Sequence, residues 1–259
     1  MRYVRYLDEN NIAQYGWVDD RKVGKLSASP FGIFRRNHAE IPFESINLLP
    51  PVLPSKIIAV GRNYVEHARE HEVDIPDYPL LFLKPPSSLI ASGQPIILPP
   101  QSQQVEHEIE LAVIIGRRGR WIKPESAEEY IFGYSIGLDI TARDLQQRDN
   151  QWTRSKGFDS FCPLGPWVET DFNTADAMLR LRVNNTLRQI GSTKDMVFNI
   201  PQIIVYASSF MTLEAGDVIL TGTPAGVSPL REGDTIEAEI EGIGTLVHTV
   251  KSERLDIYE

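Results

Sequence analysis

The part of the sequence that decides the fold begins with Val-Glu-His-Glu-Ile-Glu-Leu-Ala-Val-Ile-Ile-Gly at residues 105–116. Its β-branched and aliphatic residues predict a strand that starts polar and ends buried. Because side chains alternate across a strand, Glu108 and Glu110 should share one face, about 7 Å apart at ~3.3 Å per residue. Glu106 has the same parity, so the pattern leaves open which two of the three glutamates form a pair.

A second strand-like run, residues 131–140, supplies another carboxylate at Asp139. Carboxylates this close to apolar runs should either lie at a solvated strand end or share a cation that removes their repulsion. Three carboxylates without a cysteine or histidine cluster indicate a hard cation such as Mg²⁺ or Mn²⁺. Glutamates at alternating strand positions are more often a solvated face, so the spacing alone does not favour a metal site.

Composition bounds the class of protein. The chain has 259 residues, 42% of them hydrophobic and 24% charged, which is ordinary for a globular protein. A net charge of -9 argues against binding to nucleic acid or to an anionic membrane. The single cysteine, Cys162, excludes internal disulfides, and the first residues contain no apolar run of signal or membrane length. We therefore expect a soluble, cytoplasmic protein.

The order of predicted elements indicates a mixed, β-dominated α+β fold with many short strands and few helices. Residues 2–7 and 12–18 read as a hairpin, and a proline-dense segment at 49–54 can continue neither a helix nor a central strand. We place a domain boundary there. It separates a small N-terminal β-rich unit, residues 1–52, from a main domain, residues 53–259.

Two groups of polar residues could carry chemistry. Residues 64–71 predict a short helix capped by Asn63, on which His67 and Glu70 lie side by side, so that the carboxylate can orient the imidazole. Arg143 and Gln146 follow Asp139 by four and seven residues, and a helical turn would bring all three to one face. Taken alone, the His/Glu pair is more often a surface feature, and the arginine could equally pair with an acidic neighbour.

Five strings resemble, in this order, the catalytic domain of the fumarylacetoacetate hydrolase (FAH) family, including its acylpyruvase and oxaloacetate decarboxylase members. They are KIIAVGRNYVEHARE, HEIELAVIIG, GLDITARDLQ, SKGFDSFCPLGPW and LTGTPAGV. The resemblance extends from about Leu53 to the C-terminus and implies the FAH-type catalytic β-fold.

This resemblance also implies roles for individual residues. The metal would be Mg²⁺, with Mn²⁺ or Ca²⁺ as alternatives, held by Glu108, Glu110 and Asp139. The implied catalytic residues are His67 and Glu70, on a mobile lid, together with Lys156 and Gln146. The implied substrate-binding residues are Arg62, Arg143 and Thr223.

The function expected from the resemblance is hydrolysis of a C–C bond in acylpyruvates, small 2,4-dioxo acids, through an enolate at the metal. The alternatives are decarboxylation of oxaloacetate, isomerisation or decarboxylation of the 5-carboxymethyl-2-hydroxymuconate type in aromatic catabolism, and a non-catalytic metal-binding protein on the same fold. The expected partners are a small 2-oxo acid and a second copy of the chain in a homodimer, with neither nucleic acid nor membrane.

Overall fold

The computed structural model of the protein describes residues 1–254 and is built mainly from strands. Its strands are β1 (Arg2–Leu7), β2 (Ala13–Asp19), β3 (Lys22–Lys25), β4 (Ile41–Pro42), β5 (Asn47–Leu49), β6 (Ile57–Gly61), β7 (Leu80–Lys84), β8 (Leu89–Ile90), β9 (Ile96–Leu98), β10 (Val105–Glu106), β11 (Ile109–Ile115), β12 (Ile131–Leu138), β13 (Thr141–Ala142), β14 (Cys162–Glu169), β15 (Met178–Val183), β16 (Thr186–Ser192), β17 (Val218–Leu220), β18 (Thr235–Ile240) and β19 (Gly244–Ser252). Its α-helices are α1 (Val65–Glu70), α2 (Arg143–Arg148), α3 (Thr153–Lys156) and α4 (Ile200–Phe210). Strands hold 40% of the residues and helices 17%, which confirms the predicted fold class.

Two large sheets face each other across the main core. The larger runs β4-β3-β2-β1-β14-β12-β11-β17-β6-β7, with β5 and β8 attached to β1 and β14, and the smaller runs β16-β15-β18-β19-β9. β11 is buried along its whole length. Alternate residues of β11 contribute to two separate apolar clusters, one of which is shared with the five-stranded sheet. Burial on both faces explains why its sequence becomes uniformly apolar after Glu110.

The N-terminal strands are part of the larger sheet. β1 pairs with β14 through Arg2 opposite Glu169 and Tyr3 opposite Val168. The ring of Tyr3 also contacts that of Phe132 at 5.2 Å between centroids. The predicted hairpin is confirmed, since β1 and β2 pair along their length.

The prediction of one continuous strand at residues 105–116 is wrong, because the strand is interrupted at residues 107 and 108. β10 ends at Glu106 and pairs with β13, while β11 begins at Ile109. Between them, the buried ring of His107 is held by two hydrogen bonds of 2.8 Å, to the Oε1 of Gln189 and the Oγ of Ser228. This break turns Glu108 toward the end of β12. Within residues 1–254, no helix is both long enough and apolar enough to cross a membrane.

Candidate active site

The three predicted metal ligands lie together. Glu108 directly precedes β11 and Asp139 directly follows β12, and the amide of Asp139 donates to the carbonyl oxygen of Glu108 at 2.9 Å. Antiparallel pairing of Ile109 with Leu138 fixes this relation. One side-chain oxygen from each of Glu108, Glu110 and Asp139 lies within 4.8 Å of the others, and all three residues are buried. We call these residues the carboxylate triad.

Glu106, which the alternation left open as a ligand, instead pairs with Arg143. The Nε of Arg143 donates to Glu106 at 2.7 Å, its Nη1 donates to Gln146 at 2.5 Å, and its Nη2 donates to Glu108. The predicted helical face shared with Asp139 is wrong, because α2 begins at Arg143 and Asp139 precedes β13. Arg143 therefore orders the carboxylates on one side of the site.

Two buried lysines hold the other side. The Nζ of Lys156 donates to Asp139 at 2.5 Å and to Glu108 at 2.9 Å. The Nζ of Lys84 donates to the second oxygen of Asp139 at 2.6 Å and to the carbonyl oxygen of Lys156 at 2.5 Å. Sequence reasoning missed Lys84. Its signal was a single lysine that closes the apolar strand Leu80–Lys84, a position where an unpaired charge would be costly.

Among residues 1–254, no cationic side chain pairs with Glu110, and its side chain accepts one hydrogen bond, from the backbone amide of Gly222 at 2.6 Å. Burial, and then repulsion from Asp139 and Glu108, raises the pKa of Glu110 well above its usual value. Burial acts in the same direction on Glu108, but Lys156 and Arg143 outweigh it and hold the pKa of Glu108 well below the usual value.

The ionic balance of the site fits a bound cation. Four buried carboxylates, those of the carboxylate triad and Glu106, face three cationic side chains, those of Lys84, Lys156 and Arg143. A divalent cation would supply the missing charge beside Glu110, and an all-carboxylate donor set suits Mg²⁺ or Mn²⁺. The carboxylate triad is therefore suited to hold a metal ion.

The loop after β17 approaches the site closely. Gly222 has φ +97°, and a Cβ there would lie 2.7 Å from the Cβ of Asn63. The prediction that Asn63 caps α1 is wrong, since the cap residue is Tyr64 with no side-chain hydrogen bond. Instead, the side-chain Nδ2 of Asn63 donates to the carbonyl oxygens of Thr221, at 2.7 Å, and Phe198, at 3.0 Å. Asn63 thereby ties this loop to the start of α1.

Thr223 is positioned by a chain of buried polar groups that sequence reasoning missed. The Nε2 of Gln189 donates to the Oγ1 of Thr223 at 2.8 Å and to the carbonyl oxygen of Pro224 at 2.7 Å. The Oε1 of Gln189 then accepts from the Nδ1 of His107. Since Thr223 accepts here, its own hydroxyl hydrogen is free to be donated elsewhere. A glutamine 34 residues away carries no local sequence signal for this role.

The predicted dyad forms on α1. The Nδ1 of His67 lies 3.3 Å from Glu70, and the amide of Gly226 donates to Glu70 at 3.1 Å. Burial of Glu70 opposes ionisation, but His67 and the Gly226 amide outweigh it and lower the pKa of Glu70. The carboxylate is thus ionised and able to orient the imidazole.

A cavity of about 220 Å³ connects these groups. It is smaller than the roughly 300–1,000 Å³ of pockets for drug-sized ligands, so a small metabolite fits it better. Its lining includes Glu108, Glu110, Asp139, His67, Lys156, Gln146, Arg62, Arg143 and Thr223, so the structure brings all the predicted site residues but Glu70 to one cavity. His71, Phe82 and Trp152 also line it. The ring of Phe82 lies 5.1 Å from the Nζ of Lys156 and covers the amine.

Comparison with known proteins identifies the family. Residues 56–251 match the fumarylacetoacetate hydrolase C-terminal family, and residues 1–51 match a family described as Rv2993c-like, N-terminal. The chain belongs to the FAH family. Members of this family are enzymes, with hydrolase, isomerase and tautomerase activities among them.

Three relatives illustrate the range. Human oxaloacetate tautomerase FAHD2A, mitochondrial, is 41% identical over 81% of this chain and 71% of its own. A crystal structure of 5-carboxymethyl-2-hydroxymuconate delta-isomerase from Mycobacterium smegmatis is 40% identical and covers 98% of this chain and 100% of its own, with a TM-score of 0.90. Maleylpyruvate hydrolase from Sphingobium sp. SYK-6 is 32% identical with the same coverage and a TM-score of 0.80.

Proposed function

We propose that the protein is a divalent-metal-dependent enzyme that moves a proton at the carbon next to the 2-oxo group of small 2-oxo diacids, interconverting keto and enol forms. The observation that carries this proposal is the single cavity lined by both the carboxylate triad and His67. Two similar proteins point the same way, since a tautomerase and an isomerase both relocate a proton without breaking a C–C bond.

The protein supplies a base beside the metal ligands. A divalent cation held by the carboxylate triad would polarise the 2-oxo carbonyl and acidify the adjacent C–H. Because the Nδ1 of His67 faces Glu70, its Nε2 is the nitrogen left to exchange a proton with the substrate. Gly226 holds Glu70 in place, which keeps the imidazole in one orientation.

The anionic ends of the substrate have two candidate contacts. Arg62 lines the cavity, and no carboxylate among residues 1–254 forms an ion pair with it. Its guanidinium can therefore bind a carboxylate of the substrate. The hydroxyl of Thr223 accepts from Gln189 and can donate to a second carboxylate. Arg143 already donates to Glu106, Glu108 and Gln146, so we assign it chiefly to ordering the site.

The second candidate is hydrolysis of acylpyruvates, which the likeness to maleylpyruvate hydrolase favours. His67 would then take a proton from water as the water oxygen attacks the 4-oxo carbon. The C3–C4 bond would break to give a carboxylic acid and a pyruvate enolate, which takes up the proton from His67 to become pyruvate. Lys156, between Glu108 and Asp139, would stabilise the negative charge that develops. Both reactions need the same base and the same ligands.

Parallel assays test this choice. With Mg²⁺ present, we expect faster conversion of enol-oxaloacetate to its keto form, measured by ultraviolet absorbance, and a loss of about 10²–10⁴ in His67→Gln. His38→Gln, at an exposed histidine outside the cavity, is the matched control and should keep the wild-type rate. Acetylpyruvate cleavage, followed by NMR of its products, is measured with the same samples. Cleavage of acetylpyruvate without conversion of enol-oxaloacetate would replace the proposal by the hydrolase. If the enzyme catalyses neither reaction, both candidate functions are refuted.

A further inference from the structure

A second group of metal-binding side chains lies on α1 and just beyond it. His67, Glu70 and His71 form the spacing H-x-x-E-H, which places them on one face of a helical turn. One donor atom from each lies within 4.8 Å of the others. We call these residues the lid cluster. Its two imidazoles and one carboxylate differ chemically from the all-oxygen carboxylate triad.

The spacing inside the lid cluster suits a shared cation. The Nδ1 of His67 lies 3.3 Å from the Oε2 of Glu70 in the metal-free dyad. Two ligands each about 2.1 Å from a tetrahedral Zn²⁺ are about 3.4 Å apart. The rings of His67 and His71 stand edge to face with centroids 4.7 Å apart, close enough for one ion to reach both.

His71 has a polar atom that needs a partner. Its Nε2 is enclosed and has no hydrogen bond to any other part of the described chain. Buried polar atoms are nearly always satisfied, so such an atom calls for an explanation. Burial, with the nearby Arg143 and His67, lowers the pKa of His71, which favours the neutral imidazole that binds metals. The proposed proton transfer gives His71 no task.

We propose that His67, Glu70 and His71 form a second metal site, which takes a borderline transition-metal ion such as Zn²⁺. Imidazole ligands select Zn²⁺, Co²⁺ or Ni²⁺ over Mg²⁺, which keeps to oxygen ligands. Two histidines four residues apart on one helical turn are also the paired ligands of helical zinc sites, in which the intervening glutamate acts as a base; here the Glu70 oxygen lies within 4.8 Å of both imidazoles and can be the third ligand. The lid cluster and the carboxylate triad therefore prefer different metals.

Occupation of the lid cluster would stop the proposed proton transfer. A metal ion bound to His67 and Glu70 takes the imidazole lone pair and the carboxylate that orients the ring. Transition metals would then inhibit the enzyme reversibly while Mg²⁺ activates it. This consequence rests on the proposed function, whereas the binding of the ion does not.

Zn²⁺ titration of the metal-free protein, followed by calorimetry without substrate, tests the site. We expect two equivalents bound by the wild type and by the exposed control His38→Leu, but one equivalent by His71→Leu and one by Glu110→Gln. Two equivalents bound by His71→Leu would overturn the proposal. The proposal would also be overturned if the wild type bound one equivalent of Zn²⁺, and if that equivalent were lost in Glu110→Gln and kept in His71→Leu. This result would still support a metal site at the carboxylate triad.

A measurement on the wild type guards against misfolding of the variant. Two-bond ¹H–¹⁵N spectra report each imidazole, and Zn²⁺ should shift the ring nitrogens of His67 and His71 but not those of His38. If the ring-nitrogen chemical shifts of His67 and His71 do not change at saturating Zn²⁺, the proposed site is refuted. The inhibition arm compares each variant with its own rate in Mg²⁺ alone, and His71→Leu should need at least about tenfold more Zn²⁺ for half inhibition.

Discussion

Replacing Glu110 by glutamine removes the one carboxylate of the triad that forms no ion pair within the described part of the chain, while keeping an oxygen for the backbone amide of Gly222. The folded-state pKa of Glu110 is raised above its ordinary 4.5. Above pH 4.5 the unfolded chain releases this proton and the metal-free folded protein retains it, so the stability of the wild type falls until the pH passes the folded pKa. Each unit of that difference is worth about 1.4 kcal/mol. In EDTA, Glu110→Gln should therefore be the more stable protein, by a margin that grows above pH 4.5.

Mg²⁺ should reverse this order. At a hundred times its Kd, a ligand bound only by the folded state adds about 2.7 kcal/mol. For a chain of this size that raises the Tm of the wild type by roughly 5–10 °C. Glu110→Gln lacks one of three ligands and should gain little. Calorimetric melting in EDTA and in Mg²⁺, across a pH series, measures both effects.

Glu106→Gln is the matched control. Glu106 is also buried, but it pairs with Arg143 and lies outside the carboxylate triad. Leaving Arg143 with one carboxylate fewer should destabilise the metal-free protein by about 1–3 kcal/mol, and the gain from Mg²⁺ should persist. Should Glu110→Gln be less stable than the wild type in EDTA at pH 7, or gain as much from Mg²⁺, the ionic balance derived for this site is wrong.

Further changes probe other parts of the site. Glu108→Gln should lower Mg²⁺ affinity and activity together, as calorimetric titration with parallel rates would show. His67→Ala at saturating Mg²⁺ should depress acylpyruvate hydrolysis by about 10²–10⁴ yet spare most oxaloacetate decarboxylation, which needs no base; an equal loss of both would contradict this. Gln189→Leu should weaken binding of a 2-oxo acid about tenfold by releasing Thr223, a change in KM more than in kcat. The expected homodimer should appear in sedimentation velocity, where a monomer at micromolar concentration would exclude it.

Local sequence pattern was enough to predict elements whose partners are near in sequence. The β1–β2 hairpin follows from alternation and turn residues. β15 and β16 are joined by the same kind of local turn, in which Asn184 and Asn185 adopt positive φ. Glu108, Glu110 and Asp139 became candidates because each adjoins an apolar run, but only the resemblance to the FAH family assigned them to a metal. Parity alone could not separate Glu106 from them, since the break at His107 depends on Gln189, which lies 82 residues away.

The residues that were missed are defined by long-range contacts. Lys84 bonds to groups 55 and 72 residues away, and nothing in its own strand specifies them. The local pattern predicts Asn63 as a helix cap, but its side-chain amide donates instead to the carbonyl oxygens of Thr221 and Phe198. A helix cap contributes only about 0.5–2 kcal/mol. Tertiary hydrogen bonds outweigh this contribution at such positions, so a prediction from local sequence fails there.

The pairing of β1 with β14 also determines how the protein would behave if it were shortened. Without the first strand, part of β14 would keep β12 on one side and present unpaired backbone groups on the other. An exposed edge of this kind is a template for other chains. A protein shortened to begin near residue 53 would therefore tend to self-associate during expression and concentration, even with every cavity residue retained. Polar or proline substitutions along the freed edge would be the remedy for its aggregation.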